Sequence, residues 1–260
     1  MTIHRIPLLG LLALAGSLPG LFYAGLAGAG APLPESAFDT QRTRIEEAFR
    51  DRDIQGIEAA RSDLLRLAAA PGRPPAEATG AAYYAAYARF RQALAAAADR
   101  VSARAYLEDC IAELRDVVGR QPDHAEARAL LGSCYGMSTL YGVLATVTRG
   151  LEARRQMAEA RRLAPDNPWV VLQDGLADWA TPRIVGGDRK LAVTKLERAT
   201  VLFSTAMTTG SRLAAWGAAE AWQQLGLRYQ ELGRQAAAEV AFQRADALTR
   251  ARIRVAGNGL

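Results

Sequence analysis

The chain has 260 residues, half of them hydrophobic and 23% charged, which excludes a disordered polyelectrolyte and fits one large or two small globular domains. Lys+Arg exceeds Asp+Glu by 32 to 27, a net charge of +5, modest for a dedicated nucleic-acid binder. Two histidines and two cysteines leave little for a histidine-based metal site or a catalytic triad.

The first segment carries Arg5 and then no charged residue until Glu35. A basic start, an apolar run from Ile6 and the small residues Ala27-Gly28-Ala29 are the parts of a secretory signal over 1–29. Pro19-Gly20 interrupts the run, which favours a cleaved signal. The alternative is a retained anchor over residues 6–31, since the uncharged stretch is long enough to cross a bilayer. Either way the expected location of the body is exported and periplasmic.

From 35 to 250 apolar residues recur at spacings of three and four, and good helix formers dominate, so the expectation is an all-α domain of about ten helices in five pairs. The pairs are read at 37–51 with 54–69, 77–98 with 103–119, 124–163, 168–203 and 212–250. Phe38, Ile45 and Phe49 should face inward on the first helix, and Ile57, Leu64 and Leu65 on the second. Asp53 is an expected N-cap and Ser102 another. Pro71, Pro122 and Pro165 mark breaks. The aromatic cluster Tyr83, Tyr84, Tyr87 and Phe90 belongs to the second pair. The end, 251–260, is read as a basic flexible tail, with Arg250, Arg252 and Arg254 able to touch an anionic surface.

The last pair holds Trp222, Leu225, Gly226, Tyr229, Leu232, Gly233, Ala238, Phe242 and Ala245 at fixed offsets. Gly226 and Ala238 are small where two helices would touch, Trp222, Tyr229 and Phe242 fill the space around them, and Gly233 serves the turn. This pattern resembles the tetratricopeptide repeat at each consensus position but the final proline, where Arg250 stands. Earlier units fit with insertions: Val117, Ala160, Ala199 and Ala245 recur at steps longer than the usual repeat of about 34 residues. Cys134–Arg149 and Thr181–Asp188 are read as the extensions.

The order of pieces is also similar to a type of exported bacterial tetratricopeptide protein, through Tyr83-Tyr84, Pro122–Ala127, Leu130–Gly136, Ala164–Pro168 and Pro182–Asp188. A looser similarity is to the T component of tripartite transporters associated with such repeats. The first resemblance implies a helical-hairpin solenoid that binds a protein or peptide segment on its concave face without enzymatic chemistry. The second implies a ligand-handling accessory of a transporter, with a small-molecule ligand and an apolar channel or pore formed by the extended helices around Tyr135–Val147.

In the repeat frame, the groove positions are Trp169, Leu172, Leu176 and Trp179 in the fourth unit, and Glu220, Gln223, Leu227 and Gln230 in the last. Two tryptophans on a polar groove would anchor a peptide; the competing reading has them filling core. Gly186-Gly187-Asp188 lacks the lysine-serine ending of a phosphate loop and reads as a turn in which Asp188 caps a helix. Cys110 and Cys134 sit at small-residue packing positions on adjacent helices, where a disulfide forms only if their Cα atoms come within about 7 Å. His124 is expected to face solvent, and Glu46-Glu47 to form a solvated patch. No catalytic, metal or cofactor site is expected, and no nucleic-acid partner. The expected partner is another envelope protein or peptide segment.

Overall fold

A computed structural model describes residues 38–141, 146–208 and 212–257. The expected signal, 1–29, and the alternative anchor, 6–31, lie outside the described residues. The described chain is all-helical: α1 (Asp39–Arg50), α2 (Ile54–Ala69), α3 (Pro75–Ala95), α4 (Arg100–Arg120), α5 (Ala125–Ser138), α6 (Thr146–Leu163), α7 (Pro168–Ala180), α8 (Arg189–Thr208), α9 (Arg212–Glu231) and α10 (Gln235–Gly257). Short 3₁₀ turns occupy Thr139–Tyr141 and Arg183–Val185 within the two expected extensions. None of the described helices is long and apolar enough to cross a membrane.

Helix starts follow from local chemistry. Asp53 accepts the Gly56 N–H and caps α2, and Asn167 accepts from Trp169 and Val170 at the start of α7. Asp188 accepts the Lys190 and Leu191 N–H groups, while Gly186 takes the positive φ of the preceding turn. At α4 the cap is Asp99 rather than Ser102. Ser102 is the third helical residue, and its hydroxyl donates back to Asp99. α10 continues to Gly257, so the basic stretch from Arg250 is carried on helix rather than on a flexible tail up to that point.

Each helix packs on the next, and short turns make the neighbours antiparallel. The turns inside each pair therefore fall on one edge of the stack and those between pairs on the other. The odd-numbered helices also pack on one another, α1 on α3, α3 on α5, α5 on α7 and α7 on α9. Among the described residues no two even-numbered helices pack comparably, so the odd helices form the inner layer of a curved stack. Phe38, Ile45, Ile57 and Leu64 are buried with the tyrosines of α3, whereas Leu65 lies at the surface.

Small residues set how closely the two helices of a pair approach. Gly132 lies against the α6 backbone, Gly175 against Leu196 of α8, and Gly226 under the Phe242 ring of α10. A Cβ on Gly226 would stand 2.6 Å from that ring. Ala238 and Ala245 are buried, and Gly233 takes the positive φ of the last turn. Cys110 of α4 and Cys134 of α5 are joined by a disulfide with Cα atoms 6.4 Å apart, tying the second pair to the third.

His124 is not the solvent-facing residue the sequence suggests. It caps α5 through Nδ1, which accepts the Ala127 N–H at 3.3 Å, and its ring lies 4.8 Å from that of Tyr83. Burial lowers its pKa against the opposing pull of Glu126 and Asp123.

Two outcomes are expected. Gly226→Ala should destabilise the chain by about 1–3 kcal/mol through overpacking against Phe242, read from chemical denaturation. The folded chain holds His124 neutral, so as pH falls below the ordinary imidazole value of about 6.5 the unfolded state takes up a proton that the folded state refuses. His124→Asn keeps a capping acceptor without that titration. Its melting temperature should therefore fall less than the parent's between about pH 7.5 and about pH 5.5.

Candidate functional site

The inner layer carries a cluster of charged and aromatic side chains. Its spacing is helical: Arg42 and Glu46 lie one turn apart on α1, and Tyr83, Tyr87 and Arg91 follow one another by four along α3. Glu220 enters from α9 and Trp169 from α7.

Arg91 is the hub. Its Nη1 donates to Glu220 Oε1 at 3.1 Å and its Nη2 to Glu220 Oε2, while Nε and Nη2 reach Glu46 Oε1 at 3.2 and 3.1 Å. Glu46 also accepts from Arg42 Nε at 3.0 Å and from the Tyr87 hydroxyl. The Arg42 guanidinium lies between two rings, 4.0 Å from the centre of Tyr87 and 4.5 Å from that of Trp169. Arg91 stands 4.6 Å from the Phe49 ring. Two guanidiniums thus balance two carboxylates in a buried space.

The electrostatics follow from that balance. Burial alone would raise the Glu46 carboxyl, but Arg91, Arg42 and the Tyr87 hydrogen bond outweigh it and hold the group below the usual carboxylate range. Burial pushes the Tyr87 hydroxyl well above its ordinary value. Glu46 is therefore ionised and internally neutralised, not part of a solvated patch with Glu47. Nearby, Asn167 Nδ2 donates to Glu126 Oε1 at 2.8 Å and Ser133 Oγ to Gln173 Oε1 at 2.7 Å, joining α5 to the start and middle of α7.

The expected groove residues divide into two groups. Leu172 is fully buried in the α7–α8–α9 core and is not a groove residue. Trp169 meets Phe203 edge-on, with ring centres 5.0 Å apart, beneath Arg42, and Leu176 packs against the same core. Trp179 is buried with the guanidiniums of Arg189 and Arg228 at 4.9 and 5.2 Å. Glu220 is committed to Arg91. The two tryptophans therefore do not stand as an open anchor pair, because Arg42 of α1 lies over the half-buried Trp169 ring and Trp179 is buried beside Arg189 and Arg228. Gln223 and Gln230 are exposed and Leu227 is half-buried on the face of α9 that bears Glu220. Trp222 and Tyr229 lie in the adjoining core, with the Tyr229 hydroxyl donating to Glu197 at 2.6 Å and its pKa raised to about 12 by burial and that bond.

Among the described residues no group of three or more His, Cys, Asp or Glu side chains could hold a metal ion. The cluster can act as a strut between the start and the end of the stack. Arg42, Glu46 and Arg91 had a trace in the sequence: each is a charge on an otherwise apolar helical stripe. No protein-family model matches the chain, and no curated protein matches it.

Glu46→Ala would leave both buried arginines short of a carboxylate and should reduce stability by about 3–5 kcal/mol in urea denaturation. The Glu46 contribution is present above the ordinary carboxylate pKa and is lost as pH falls through its depressed folded value, so the parent and the variant should converge in acid.

Proposed function

We propose that the chain is an exported, non-enzymatic protein-binding or scaffold module of tetratricopeptide type, working through its inner face. The repeat frame is supported by Gly132, Gly175 and Gly226, each of which meets the second helix of its own pair. The observation that carries the binding reading is the stripe Gln223, Leu227 and Gln230. It shares the inward face of α9 with Glu220, yet is left accessible where the Arg91 strut ends.

Two amides flanking a leucine suit an extended or helical peptide, with the leucine giving apolar area and the amides pairing with backbone groups. The strut holds the surrounding helices in one arrangement, which lowers the ordering needed on binding. Affinity then comes from shape and a few anchors on a stacked scaffold.

The test is crosslinking and co-purification of the full chain, tagged at its C-terminus, from the cell envelope. A Gln223→Ala/Leu227→Ala/Gln230→Ala variant with the parent's helical spectrum runs beside it. A protein recovered with the parent and lost with the variant is the expected result; equal recovery would remove this stripe from the interface.

A further inference from the structure

Eleven large apolar side chains are exposed among the described residues; Leu65, Val201 and Val240 are spread over α2, α8 and α10, whereas six others share one edge with Leu191 and Leu232. Val101 opens α4, Leu140 sits in the first 3₁₀ turn, Val147 and Leu151 lie in the first two turns of α6, and Ile184 and Val185 form the second 3₁₀ turn. All six belong to the edge that carries the turns inside pairs. Two of them project almost completely, Ile184 at 94% exposure and Val101 at 80%.

The same edge is basic. Arg100, Arg104, Arg154, Arg183, Arg189 and Lys190 are exposed there. Its acids are otherwise engaged: Asp99 and Asp188 cap helices, and Glu108 accepts from Arg149 through both oxygens at 2.7 and 2.9 Å while lying 4.0 Å from Arg104 Nε. Arg100 donates to the Leu140 carbonyl at 2.8 Å and Arg154 to the Val185 carbonyl, contacts that fix each guanidinium beside an apolar side chain and leave its charge uncompensated. A cleft of about 370 Å³ opens between Arg100, Arg104, Glu108 and Tyr141.

We propose that this edge, across the starts of α4, α6 and α8, is a docking surface for an anionic phospholipid bilayer. Aliphatic side chains on successive turns, with guanidiniums fixed at Leu140 and Val185, match an interface in which apolar tips enter the acyl boundary and cations meet phosphates. A protein interface would instead favour a contiguous, well-packed core rich in aromatic residues. The cleft beside Arg100 and Arg104 offers room for a lipid headgroup phosphate. The residues involved are distinct from the α9 stripe, so docking at the edge leaves the inner face accessible.

The experiment is hydrogen–deuterium exchange of the full chain with vesicles of phosphatidylcholine containing phosphatidylglycerol, against vesicles of phosphatidylcholine alone. Protection is expected over 100–105, 147–154 and 183–191 with the anionic vesicles and not with the neutral ones. Arg100→Gln/Arg104→Gln should weaken partitioning about twenty-five-fold, from roughly fivefold per charge removed. Val101→Asp/Ile184→Asp alters two projecting side chains and should abolish protection of those segments while keeping the parent's melting temperature. Protection confined to residues before 38, or equal with both vesicles, would overturn the proposal. So would a dimer in sedimentation without lipid that the Val101→Asp/Ile184→Asp variant dissolves, which would assign the edge to a second copy of the chain.

Discussion

A single guanidinium, that of Arg91, sets how far the helix stack can curve. It holds Glu46 on α1 and Glu220 on α9, reaching from the second helix pair to the first and the last. Stacked helix pairs have no intrinsic limit to their length and touch only their neighbours. Here the inner layer meets itself, and the contact is ionic and buried. An ion pair removed from water is a weak source of net stability, because desolvation opposes the attraction. Its effect is specificity: any other curvature would leave a buried charge without its counter-charge. Arg42, with its guanidinium between Tyr87 and Trp169, extends the same constraint to α7.

This closure decides which surfaces remain for partners. An inner face fully open to a peptide needs its wall residues unengaged, but Trp169, Trp179 and Glu220 are spent on internal contacts. What stays accessible is the far end of α9 and the turn edge, where the chain places amides in one case and arginines with aliphatic tips in the other. The two surfaces differ in chemistry as well as position. One suits hydrogen bonding to a polypeptide, and the other a charged and partly apolar plane. The disulfide between Cys110 and Cys134 locks the junction of the second and third pairs.

Helices were legible in the sequence because their signals are local. Spacing of three and four, proline breaks and capping carboxylates located the first four helices to within a few residues and the later pairs as ranges, with Asp99 in place of Ser102 as the instructive miss. Either residue type can cap, and the decision falls to which one sits just before the first helical N–H groups. The glycine under Phe242 was legible for a similar reason, since a small residue opposite a ring has a fixed offset in a helical pair. Of the inner cluster the sequence carried only charges on apolar stripes, not the way they pair. Glu46 reads as solvated beside Glu47, and only the arrival of Tyr87 and Arg91 from α3 makes it buried. His124 failed in the same way, since the Tyr83 ring that covers it comes from another helix. Groove positions taken from a repeat frame assume standard curvature, and Leu172 shows where that assumption fails.

The Arg91–Glu220 pair spans 129 residues of chain. Ordinary repeat arrays fold and fray one unit at a time, since no contact is long-range. In this chain the second unit cannot complete its inner face until α9 has formed and arrived, so a stretch of late sequence governs the completion of an early one. Contacts of that kind slow folding, because a large loop must close before the contact forms. They also couple the ends of the array. Loss of the last hairpin would not peel away as a separate event but would expose a buried arginine near the other end, so the ten helices unfold as one cooperative body.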